Sequence, residues 1–119
     1  AVGIGPFVVG PAVERKIGTS AFVQMTINAT EWQTAFWAKE KGLYSEVFKT
    51  QEEMDAAVKT LAEQLAKSNP EAMTMLKKVF WRGTDDWDKL LLERAEMSGK
   101  LVLSEFTRNA IAKFKTGVK

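Results

Sequence analysis

The chain has 119 residues, 45% of them hydrophobic and 27% charged, which suits one compact core in a water-soluble globular protein. Seventeen basic residues against fifteen acidic ones leave a formal charge of +2, too balanced to name a nucleic acid or an anionic membrane as partner. Cysteine and histidine are both absent, which excludes disulfides, thiol chemistry, serine triads and zinc hydrolysis within the chain and leaves carboxylate, lysine, tyrosine or backbone hydrogen bonds for any acid-base work.

In chain order, the first segment, Ala1 to Val13, is apolar but broken by Gly3, Gly5, Pro6, Gly10 and Pro11. It is too short to span a bilayer and lacks the basic start of a signal peptide. An apolar start of this kind, with Val2, Ile4, Phe7, Val8 and Val9 together and no methionine, is expected of a sequence cut from a larger domain. Pro11 suits a first helical position and Gly18 a C-cap, which predicts a short helix from Pro11 to Ile17 and a second from Thr19 to about Ile27.

Thr30 with Gln33 makes a capping-box pattern, so Glu31 to Lys41 is expected to be helical, ended by Gly42, with Ala35, Phe36 and Ala38 on or near the packed face. Tyr44 to Phe48 is the one strand candidate. Thr50 with Glu53 repeats the capping box, and Met54, Ala57, Val58, Leu61 and Leu65 recur at helical spacing. Asn69 as N-cap and Pro70 restart a helix with the stripe Ala72, Met75, Leu76, Val79 and Phe80, ended by Gly83. Thr84 with Asp85 and Asp86 opens another carrying Trp87, Leu90, Leu91 and Ala95, and a final helix begins near Ser104 and carries Phe106, Ala110 and Phe114.

Each feature that could carry chemistry also has a structural reading. The Gly3-x-Gly5-Pro6 and Gly10-Pro11 pairs could cradle an anion or oxyanion, or simply turn the chain into a helix. Trp32, Trp37, Trp81 and Trp87 with Phe80 could line a ligand pocket, or pack a core or a subunit interface. The acidic pairs Glu52 with Glu53 and Asp85 with Asp86 are explained by helix first turns. At the tail Lys100, Arg108, Lys113, Lys115 and Lys119 stand against Glu105 alone, a face that could hold phosphate or be a solvated helix end.

The middle of the chain resembles the enoyl-CoA hydratase/isomerase (crotonase) superfamily. The residues that carry the resemblance are Ala35-x-x-Ala38-x-x-x-Gly42-Leu43-Tyr44 with Val47-Phe48, then Ala62-x-x-Leu65-Ala66-x-x-x-Pro70-x-Ala72-x-x-x-x-Lys77. Upstream, Gly3-Ile4-Gly5-Pro6 followed by Arg15-Lys16-Ile17-Gly18 is similar to the family's Gly-x-x-Pro turn and basic helix end, so the likeness covers nearly all of the chain. Phe7-Val8-Val9-Gly10-Pro11 departs from the glycine-rich stretch of typical hydratases.

The resemblance implies a mainly α chain: the helical C-terminal segment of the α/β crotonase spiral fold, with at most one or two short strands. Residues 1–48 would end the crotonase core and 49–119 would form the helical trimerisation region. The complete protein would act on an acyl-CoA thioester as a lyase or isomerase, with coenzyme A entering as part of the substrate and no covalent cofactor or metal. The family's oxyanion hole and glutamates would lie upstream of Ala1, which leaves no catalytic residue in this chain. Pro6 and Phe7 would wall the acyl pocket, and Phe106, with Arg108 or Lys113 supplying the charge where the family's lysine is replaced by Asn109, would meet the nucleotide.

A homotrimer or hexamer is the implied assembly, without nucleic acid or membrane, and the lack of cysteine and of targeting signals makes the cytoplasm the expected location. Two other readings stand beside it: a free-standing helical protein-interaction module, and a small acyl-CoA carrier.

Overall fold

The computed structural model describes residues 2–116, so expectations that fall on Ala1 and Lys119 lie outside the described residues. Over that range the protein is all-helical: α1 (Gly10–Ile27), α2 (Ala35–Glu40), α3 (Gln51–Ala66), α4 (Pro70–Phe80), α5 (Trp87–Val102) and α6 (Glu105–Lys115). The helices fall into two compact units, one of Ala1–Tyr44 with Trp87–Lys119 and the other of Ser45–Asp86.

In the first unit, a tight turn leads into α1, with Phe7 N–H donating to Gly5 O at 2.9 Å and Gly10 N–H to Pro6 O at 2.8 Å. The helix is interrupted at Gly18, whose φ of 78° and ψ of 159° lie where essentially only a residue without Cβ is tolerated. The predicted pair of short helices is therefore present, as two arms of α1 meeting at that residue. In an unbroken helix, positions twelve residues apart would lie about 18 Å apart along the axis. Here the break lets Phe22 fold back onto Gly10, so closely that a Cβ on Gly10 would lie 3.1 Å from the Phe22 ring.

α2 starts at Ala35 rather than Glu31, which corrects the expected capping box at Thr30. The chain instead turns through Glu31 N–H donating to Asn28 O at 3.0 Å, and the Asn28 side-chain amide donates to the Glu31 carboxylate. With Glu31 and Asn28 tied to each other, Thr34 takes the cap and accepts from Trp37 N–H at 3.0 Å. The expected packed face is corrected too: Ala38 is buried, but Ala35 is exposed and Phe36 is 71% exposed. Tyr44 to Phe48 is irregular rather than a strand, because a strand needs a partner for its backbone groups and the described residues contain none.

In the second unit the capping residues behave as expected. Thr50 accepts from Glu53 N–H at 3.2 Å, while the Glu53 carboxylate reaches back to Lys49 N–H at 3.1 Å. The Asn69 side chain accepts from Glu71 and Ala72 N–H at 3.0 and 3.2 Å, and Pro70 follows in the first turn. The stripes on these helices are regular and exposed: Met54, Val58, Leu61 and Leu65 of α3 and Met75, Leu76, Val79 and Phe80 of α4 are 42% to 64% exposed.

At the end of the second unit, Thr84 turns the chain by donating to Trp81 O at 2.8 Å, and α5 of the first unit starts at Trp87. Its half-buried positions, Trp87, Leu90, Leu91, Arg94, Ser98 and Leu101, recur at helical spacing and define one inward face. α5 packs on α6 across a turn in which Ser104 caps α6, accepting from Thr107 N–H at 3.3 Å. The Ser104 and Thr107 hydroxyls also meet at 3.1 Å, which satisfies the fully buried Thr107.

Two glycines give opposite expectations. Gly18→Ala meets open space but a forbidden backbone conformation, and should destabilise the chain by about 1–3 kcal/mol. Gly99→Ala, inside α5 with nothing within 4 Å of the added Cβ, should stabilise it by roughly 0.5–1 kcal/mol. Urea unfolding followed by circular dichroism measures both, and equal signs for the two would contradict this account.

Candidate functional site

The reversal at Gly18 builds a cleft of about 310 Å³ in the first unit. One wall is the turn Gly5, Pro6, Phe7, Gly10 and Pro11, continued by Glu14. The returning arm of α1 supplies Phe22, Thr26 and Ile27, and α5 supplies Arg94. Pro6, exposed at the turn, also borders a second hollow of about 530 Å³ that shares Phe22 with the first and is lined by Gly3, Ile4, Val9, Val13 and Met25 among others. An apolar lining with a few polar groups at its edge is the usual chemistry of a small-molecule site, and this volume is at the small end of the range.

Two ionisable side chains face the first cleft. Glu14 is half-buried, and its carboxylate accepts from the Thr19 hydroxyl at 2.8 Å, a bond made possible by the helix break between them. Arg94 is half-buried on the inward face of α5. No group of three His, Cys, Asp or Glu residues gathers into a metal site among the described residues. Nor is any helix there long and apolar enough to cross a membrane.

The expected site residues separate into two places. Pro6 and Phe7 stand together in the cleft wall. Phe106, 68% exposed, lies on α6 with its ring edge against Gly3, where an added Cβ would come within 2.6 Å of Cδ1. Along α6, Phe106, Ala110, Lys113 and Phe114 share one face, whereas Arg108 is two residues from Phe106 and points to the opposite side. Of the two candidate cations, Lys113 is therefore the one on the same face of α6 as Phe106. Phe114, 84% exposed beside Lys113, extends the same face.

Sequence reasoning missed Phe22, Glu14 and Arg94 as cleft residues. Phe22 becomes a wall only because the helix reverses, and Arg94 reads as an ordinary helix charge until its inward neighbours are recognised. The periodicity of Leu90, Leu91, Ser98 and Leu101 was the available signal.

Comparison with known proteins gives one match. No curated protein and no solved structure matches the chain. The profile of the enoyl-CoA hydratase/isomerase family matches residues 1–116, in accord with the Gly-x-x-Pro turn and the helix, proline and lysine pattern. With nearly its whole length matched, the chain belongs to the enoyl-CoA hydratase/isomerase family.

Proposed function

We propose that these residues are the non-catalytic, helical C-terminal part of a cytoplasmic protein of this family that acts on acyl-CoA thioesters. Residues 1–48 close the acyl pocket through Pro6 and Phe7, and 49–119 carry the helices that join subunits into a trimer or hexamer. Phe106, with Lys113 on its own face of α6 and Arg108 on the other, contributes to holding the nucleotide end of coenzyme A.

The observation that carries this reading is the exposure of the apolar stripes on α3 and α4. Fully burying one side chain of this kind is worth about 1.5–3 kcal/mol, so two stripes left in water forgo stabilisation on the order of the whole stability of a domain. At 11 residues α4 is also too short to hold its helix by backbone bonds alone. A surface of this composition and regularity is what a helical subunit interface requires.

The catalytic side of the reading follows from chemistry. Hydration or isomerisation of an enoyl thioester passes through an enolate, which needs donors fixed opposite the carbonyl oxygen and a group to move the proton. The cleft offers one carboxylate, Glu14, already engaged by Thr19, and a wall of apolar side chains. Its contribution is to shape the space for the acyl group and exclude water, while the chemistry belongs to other residues of the complete protein.

Two measurements test this. The 119-residue chain should not hydrate crotonyl-CoA above a buffer control, and activity from the purified chain would overturn the non-catalytic assignment. In sedimentation velocity the chain should form trimers or larger oligomers, and Leu61→Asp with Phe80→Asp should shift it to monomer. A chain that is monomeric before substitution would remove the subunit-interface role.

A further inference from the structure

α5 presents Trp87, Leu90, Leu91, Ser98 and Leu101 inward, and at the centre of that row stands a guanidinium. The other two cations of α5 follow the usual rule: Lys89 and Lys100 are exposed, and Lys89 pairs with Glu93 at 3.9 Å. Arg94 alone among them is half-buried, at the edge of the cleft walled by Pro6, Phe7, Pro11, Phe22 and Ile27. Among the described residues no carboxylate lies within ion-pair distance of it, and its side chain makes no hydrogen bond. Glu14, the one acid in the same cleft, holds the Thr19 hydroxyl instead. A cation drawn out of water into apolar surroundings pays for desolvation unless an anion meets it, and the planar guanidinium is the side chain best shaped to take a carboxylate through two parallel bonds.

We infer that this cleft takes an acyl group ending in a carboxylate, with Arg94 as the counter-ion that selects it. The inference rests on the acyl-pocket reading above and sharpens it: a plain alkyl chain fills the apolar wall but leaves Arg94 unmet, whereas a dicarboxylic half-thioester satisfies both. The cleft's small volume suits a short acyl chain rather than a long one. Glu14 opposes the incoming anion, so its neutralisation strengthens binding.

The test is calorimetric titration of the 119-residue chain with adipoyl-CoA and hexanoyl-CoA, which match in chain length and differ in the terminal carboxylate, and with monoethyl adipate, which carries the carboxylate without coenzyme A. Adipoyl-CoA should bind about 10-fold or more tightly than hexanoyl-CoA. Arg94→Met should remove that preference and leave hexanoyl-CoA within about two-fold, and Glu14→Gln should strengthen adipoyl-CoA a few-fold. Circular dichroism of each variant checks that the helices persist, and Arg94→Lys, if the helices weaken in Arg94→Met, keeps the charge and should retain part of the preference. Equal binding of the two esters, or a preference that survives Arg94→Met, overturns the inference and leaves the acyl-pocket reading standing. Binding of monoethyl adipate alone, lost in Arg94→Met, keeps the anion site and overturns the acyl-CoA reading. If none of the three binds, both fall.

Discussion

The conformation of Gly18 is the constraint on which the first unit depends. Its positive φ sends the second arm of α1 back along the first, and two contacts then follow that a continuous helix would forbid, Phe22 on Gly10 and the Thr19 hydroxyl on Glu14, while Thr26 and Ile27 come to line one cleft with the Gly5 to Pro11 turn. The cleft is therefore a consequence of one backbone choice rather than of any binding side chain. Gly10 is the matching requirement on the other wall, since any larger residue there would push the Phe22 ring away.

The second unit is governed by the opposite circumstance. Its helices are locally well determined, by the Thr50 and Asn69 caps and by regular apolar spacing, yet their stripes stay largely exposed. Local signals suffice to say where a helix begins and ends because caps satisfy backbone donors within a few residues. What a stripe packs against is a question about distant surfaces, and periodicity is silent on it. The same spacing that predicts a core in the sequence leaves Leu61 and Phe80 more than half exposed in the structure.

That distinction explains how much was legible in the sequence. The break at Gly18 and the helix starts after Thr50, Asn69 and Ser104 were readable from residue chemistry. Thr30 misled because its capping pattern competes with an Asn28 to Glu31 turn, and two threonines four residues apart offer equivalent caps until the turn chooses between them. Tyr44 to Phe48 has strand composition, but composition cannot supply a neighbouring strand. Arg94 was hidden for a third reason: its charge suggested solvent, and only the row of inward neighbours on α5 says otherwise.

The short segment from Gly3 to Pro11 links these parts. At one end Gly3 lies against the Phe106 ring edge and beside the buried Thr107 hydroxyl, which fixes the start of α6. Three residues later Pro6 enters the cleft wall, and Phe7 completes it. On the proposed reading, the acyl end and the nucleotide end of one ligand are therefore both referred to a single stretch of backbone, held at Phe7 and Gly10 by its own hydrogen bonds. Proline at the turn and the close packing of the Phe106 ring edge on Gly3 reduce the freedom of that stretch where a displacement would move both ends at once. Rigidity of this kind lowers the ordering cost of binding without any added contact, which is how a non-catalytic segment can contribute to an acyl-CoA site.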